Sequence, residues 1–76
     1  MLGFLQSKHH RVLEELLATV ERNASNNYKD AAQKAFKELT EKYEELNAAG
    51  ALNEKQKAFY GSAMSRLSVE LKGFHH

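Results

Sequence analysis

The sequence predicts an all-α fold, a small up-down-up bundle of three helices, and three observations predict it. Pro and Ile are absent, Val and Thr are sparse, and Ala, Leu, Glu, Lys and Gln dominate. These dominant residues lose little side-chain freedom in a helix. No stretch alternates with the period of two that a strand needs. Apolar residues instead recur at three- and four-residue steps in three segments, over about 5–22, 28–48 and 54–72,. Asn- and Gly-bearing breaks separate the segments. Such short connections make neighbouring helices antiparallel.

The first segment carries Leu5, Val12, Leu13, Leu16, Leu17 and Val20. At 100° per residue, Leu5, Val12, Leu16 and Val20 fall on one stripe. Its start lies at Phe4 or at Ser7, whose hydroxyl can cap a free backbone N–H. The run Asn23-Ala24-Ser25-Asn26-Asn27 then breaks the pattern, because Asn tolerates left-handed backbone and competes for backbone groups.

The second segment has the clearest signature. Asn27 and Asp30 have the spacing of a capping box. Tyr28, Ala32, Ala35, Phe36, Leu39, Tyr43 and Leu46 share a stripe,. Lys34 with Glu38, Lys37 with Glu41 and Glu38 with Lys42 lie four apart on the other face. Gly50 stops the helix, since Gly adopts a left-handed C′ conformation without steric cost.

For the third segment, Asn53 and Gln56 form a second capping box after Leu52, and Gly73 ends the helix. Its stripe is Tyr60, Ala63, Met64, Leu67 and Leu71, flanked by Phe59 and Phe74. The predicted core is Leu5, Val12, Leu13, Leu16, Val20, Ala32, Phe36, Leu39, Tyr43, Leu46, Phe59, Ala63, Leu67 and Leu71. The second and third helices form a hairpin like those of tetratricopeptide repeats and of the three-helix microtubule-interacting-and-transport domains. Asn27-Tyr28-Lys29-Asp30-Ala31 and Phe59-Tyr60 are the local echoes. The tetratricopeptide Trp, Leu-Gly pair and terminal Pro are missing, so the likeness is one of architecture.

Length and composition narrow the function. The 76 residues make one domain, residues 1–76, close to the size at which a single core just outweighs chain entropy,. With no Cys there are no disulfides and no thiolate zinc site,. A Cys-free chain without an N-terminal signal pattern suits the cytoplasm, and Asn23-Ala24-Ser25 is then a chance match to a glycosylation sequon. No stretch reaches the ~20 apolar residues of a membrane span. Lys and Arg number 11 against 10 Asp and Glu. The charges are interspersed, without the basic stripe that phosphate binding calls for.

The candidate sites are few. His9-His10 and His75-His76 could ligate a metal, and His10 with Glu14 shares a helix face. In an up-down-up bundle the two doublets fall at opposite ends, so no metal site and no cofactor is expected. His75 and His76 also read as a polar tail or as the start of a purification tag. His9 falls on the apolar stripe, as a half-buried ring meeting a carbonyl near the Gly50 loop or, alternatively, as a pH switch. Leu2, Phe4 and Leu5 followed by Lys8, His9, His10 and Arg11 could touch a membrane surface or a nucleic acid, though packing on the bundle fits Phe4 and Leu5 better. Tyr28, Tyr43 and Tyr60 read as core aromatics with hydroxyls at the rim. Asp30 reads as a cap and the Glu residues as solvent-facing partners of Lys, so no catalytic set is expected.

One stripe is left unexplained. Gly61, Ser65 and Ser68 lie beside Met64, and small side chains let another helix approach. The sequence therefore points to a non-enzymatic structural or interaction module. It would act through a helical surface at Gly61, Met64, Ser65 and Ser68, with a second copy of the chain or another protein as partner. The alternatives are a regulator using the basic start of the first helix and, last, a metal protein using the His pairs.

Overall fold

A computed structural model describes residues 8–72. It is a three-helix bundle with no strand among the described residues: α1 is Arg11–Ser25, α2 is Lys29–Ala48 and α3 is Glu54–Lys72. The chain runs up, down and up. Parallel α1 and α3 meet at Glu14 with Tyr60 and at Glu21 with Arg66, whereas antiparallel α2 and α3 meet at Tyr43 with Lys57.

Both ends of α2 are set by the same turn chemistry. After α1, Tyr28 N–H donates to the Asn23 carbonyl and Asn27 N–H to the Ala24 carbonyl. After α2, Ala51 N–H donates to Leu46 and Gly50 N–H to Asn47. Each pair is a Schellman motif, closed by a residue in left-handed backbone, Asn27 at φ 62° and Gly50 at φ 72°,. The Asn27–Asp30 capping box therefore does not form. Tyr28 takes the N-cap position of α2 without a side-chain cap bond, because Asn27 is spent on terminating α1. The Asn53–Gln56 box does form. Asn53 N–H donates to Gln56 Oε1 at 2.9 Å, and Gln56 N–H to Asn53 Oδ1 at 2.7 Å.

Helix α1 is shifted toward the C-terminus relative to the sequence expectation. It begins at Arg11 because His10 is extended, at φ −126° and ψ 126°. It persists through Asn23, whose side-chain amide donates to the Thr19 carbonyl instead of breaking the turn,. The proposed Ser7 cap, together with Leu2, Phe4 and Leu5, lies outside the described residues, as do Gly73, Phe74, His75 and His76.

The core holds Leu13, Leu17, Val20, Ala32, Ala35, Leu39, Leu52, Tyr60, Ala63, Leu67 and Leu71, with Leu16, Phe36, Tyr43, Leu46, Phe59 and Met64 packed around it. Two expectations fail. Val12 is 41 % exposed and Leu17 is buried in its place, because the buried stripe of α1 centres on Leu13, Leu17 and Val20. Tyr28 is 60 % exposed, since the Asn27 turn holds it before the first turn of α2. On the outer face of α2, Lys37 pairs with Glu41 at 3.9 Å, while Lys42 turns to Glu45 at 3.0 Å.

The backbones of α1 and α2 approach one another over far more of their length than those of α2 and α3, and α1 and α3 approach least. Side-chain size accounts for this. Ala32 and Ala35 are buried on α2, and Ala24 of α1 packs against the core. Small residues let helix axes close up. On the other side of α2, Phe36 and Tyr43 stand between it and α3 and hold the helices apart.

Candidate functional site

The densest polar constellation lies where the segment before α1 crosses the first turns of α3. Tyr60 is fully buried. Its hydroxyl donates to Glu14 Oε1 and accepts the His10 backbone N–H at 3.0 Å. Glu14 Oε1 also accepts from His9 Nδ1 at 2.9 Å. The capping residue Gln56 has a second role, its side-chain N–H₂ donating to the His9 carbonyl at 3.0 Å. The Lys8 ammonium sits 5.1 Å from the centre of the Phe59 ring, and the His9 ring meets Phe59 edge-on at 5.3 Å. Residues 8–10 thus form a strap fastened to Gln56, Phe59 and Tyr60.

The electrostatics follow from these contacts. Hydrogen bonds from Tyr60 and then His9 hold the Glu14 carboxyl below the usual carboxylate range,. Burial and then the Glu14 carboxylate push the Tyr60 phenol up to about 12,. At neutral pH the hydroxyl is therefore a proton donor to an ionised acceptor, the stronger kind of hydrogen bond.

A cleft of about 410 Å³ runs on from the strap between α1 and α3, lined by Glu14, Leu17, Glu21, Phe59, Ala63 and Arg66, with exposed Ser62 at its edge. Arg66 crosses it to Glu21 at 3.1 Å and reaches Glu70 along its own helix at 3.4 Å. These carboxylates, Glu21 first, raise the Arg66 pKa further and keep it charged. On the other flank of α3 a second cleft, about 360 Å³, is lined by Gln33, Phe36, Ser68, Leu71 and Lys72.

The residues singled out from the sequence do not share one outward face. Gly61 faces α2, where a Cβ would lie 3.8 Å from the Tyr43 hydroxyl oxygen. Met64 packs against the core, Ser68 lines the α2–α3 cleft, and only Ser65 is exposed. His9 meets a carboxylate, not a carbonyl of the Gly50 loop, and it is exposed. Glu14 binds Tyr60 and His9. No group of three His, Asp or Glu able to hold a metal occurs among the described residues.

The sequence marks Glu14 only as a possible co-ligand of His10 and otherwise as one of the solvent-facing Glu residues, yet it stands one residue from buried Leu13 and three from buried Leu17. A carboxylate at the edge of an apolar stripe, in a bundle whose facing helix carries a buried Tyr, was the available signal. The chain has no match among protein-family models, curated protein sequences or solved structures. No helix among the described residues is long and apolar enough to cross a membrane.

Proposed function

We propose that this small helical bundle is a non-enzymatic interaction module that pairs with a second copy of itself through the outer face of α3. One observation carries the reading. Ala58, Ser62, Ser65 and Val69 are all exposed and follow one another at steps of four, three and four, the spacing of a helix-pairing seam,. Val69 is 70 % exposed, the most exposed large apolar side chain among the described residues. The seam carries no charge.

An antiparallel two-fold crossing between Ser62 and Ser65 sets Ala58 of one copy against Val69 of the other, small against large, and Ser62 of one against Ser65 of the other. Of the residues expected at this contact, Ser65 lies on the seam, while Gly61 faces α2, Met64 packs against the core and Ser68 lines the α2–α3 cleft. The reading that the basic start of α1 binds nucleic acid or a membrane is less well supported, because Lys8 is placed on Phe59 and His9 on Glu14.

Light scattering across concentrations tests the proposal. The wild-type chain is expected to dimerise by high micromolar concentration, and Ser65→Lys or Val69→Glu to return it to a monomer. A wild-type chain that stays monomeric overturns self-association. A dimer indifferent to both substitutions overturns the α3 seam.

A further inference from the structure

The uncharged seam on the outer face of α3 is flanked by charges at both of its ends. Glu54 stands in the first turn of the helix and Lys72 in the last. They are eighteen residues apart, about five full turns, so both lie on one line along the helix,. That line borders the seam on the side toward α2, where Gly61 approaches Tyr43 and Ser68 lines the cleft. Lys72 is exposed, and the Glu54 side chain, which meets Lys57 of its own helix at 3.4 Å, is 90 % exposed. The α3 dipole accounts for a negative group at the start and a positive one at the end. It does not account for their register with the seam.

The crossing that buries Ala58, Ser62, Ser65 and Val69 together sets position 72 of one copy level with position 55 of the other. Glu54 is one residue from that level, about 1.5 Å of rise. An antiparallel two-fold keeps the α2-side flanks of both helices on the same side of the pair. Glu54 of each copy therefore comes beside Lys72 of the other, twice by symmetry, and stands between it and Lys57 of its own helix. Lys55, on the α1 side of the seam, comes beside Glu70 of the other copy, again opposite in sign. We infer, resting on the proposed α3 seam, that Glu54 and Lys72 are the residues that select the partner: they recognise a second α3 in antiparallel register, as flanking charges do in paired helices.

Charge reversals measured alone and mixed, by sedimentation across concentrations, test the pairing. Glu54→Lys opposes two lysines at each end of its own dimer, and Lys72→Glu opposes two glutamates. Each variant alone is expected to dimerise about tenfold more weakly than wild type at low salt. Mixed in equal amounts, the two variants regain opposite charges at both ends, and a heterodimer of near wild-type affinity is expected. Loss of a favourable dipole interaction lowers the stability of each variant by itself and gives no rescue on mixing. Variants that dimerise like wild type, or that stay weak when mixed, overturn the pairing and leave the seam standing. A wild-type chain that never dimerises overturns the seam and the pairing with it. Ala58→Cys checks the direction in a chain that has no other Cys. The two copies of position 58 lie about 16 Å apart along an antiparallel seam. No disulfide between copies is therefore expected under oxidising conditions, and its rapid formation overturns the antiparallel register.

Discussion

The two sides of α2 make a controlled comparison, because one helix packs against two neighbours by different means. Its buried face carries the small residues Ala32 and Ala35, and the backbones of α1 and α2 close up along the hairpin. Toward α3 it offers Phe36 and Tyr43, the helices stand off, and polar links from α1 help to hold the third helix in place. Small apolar residues allow extensive contact. Large aromatic residues give fewer, wider contacts that leave clefts and expose backbone-directed polar groups such as the Tyr43 hydroxyl, which donates to the Lys57 carbonyl at 3.3 Å. Local opening is expected to follow this difference in packing.

The largest expected effect comes from removing the residue that anchors the middle of α2. Leu39 is fully buried. Leu39→Ala is expected to cost about 2–5 kcal/mol, measured by urea unfolding. In so small a domain that is most of the stability. A cost under about 1 kcal/mol would mean that the hairpin core is loosely packed and would break the comparison.

An intermediate effect distinguishes the two turns. Gly50 and Asn27 hold the same left-handed C′ position, but only Gly is free of Cβ strain there,. Gly50→Ala is expected to cost about 1–2 kcal/mol by backbone strain alone, because a Cβ at Gly50 meets no atom within 4 Å,. Asn27→Gly is expected to be neutral or slightly stabilising in the same thermal or urea measurement. The reverse ordering would show that the Asn27 side chain has a role beyond its φ.

The smallest effect probes the stand-off between α2 and α3. Gly61 lies inside α3, and a Cβ there would make ordinary contact with the Tyr43 hydroxyl at 3.8 Å. Gly61→Ala is therefore expected to raise stability by about 0.5–1 kcal/mol, the helix-propensity difference between the two residues. A destabilised variant would show that α2 and α3 approach more closely than described.

The helices were legible because their signals are local. The second capping box, the stop at Gly50 and the stripes of α2 and α3 each depend on residues within one turn of one another. The start of α1 was not legible, because it is set by the His10 amide reaching Tyr60, fifty residues away. The spacing of Asn27 and Asp30 predicts a cap for the helix that follows, whereas the left-handed backbone of Asn27 closes the helix before it. Both readings fit an Asn, and only the tertiary arrangement selects one. Glu14 escaped for the same reason. Its partner Tyr60 becomes visible only when α1 and α3 are known to run parallel. The small residues Gly61, Ser65 and Ser68 and their neighbour Met64 divide between the inside and outside of the bundle, because a helical wheel alone does not fix where the buried face is centred.

Glu14 and Tyr60 clasp α1 to α3 through one hydrogen bond, and the pH dependence of this clasp has a definite sign. Glu14 ionises more readily in the folded chain than at its ordinary 4.5. Its contribution is therefore present above that value and is lost as pH falls through the lowered folded value. Tyr60 is raised from 10.0 to about 12, so its contribution holds below 10 and is lost as pH rises toward 12,. A double-mutant cycle of Glu14→Ala and Tyr60→Phe, by urea unfolding at pH 7 and again at pH 3, measures the clasp directly. Since Glu14 is half exposed, the coupling expected at pH 7 is discounted to about 1 kcal/mol, and it should shrink at pH 3. Single-mutant effects that add within about 0.3 kcal/mol at pH 7 would contradict the clasp.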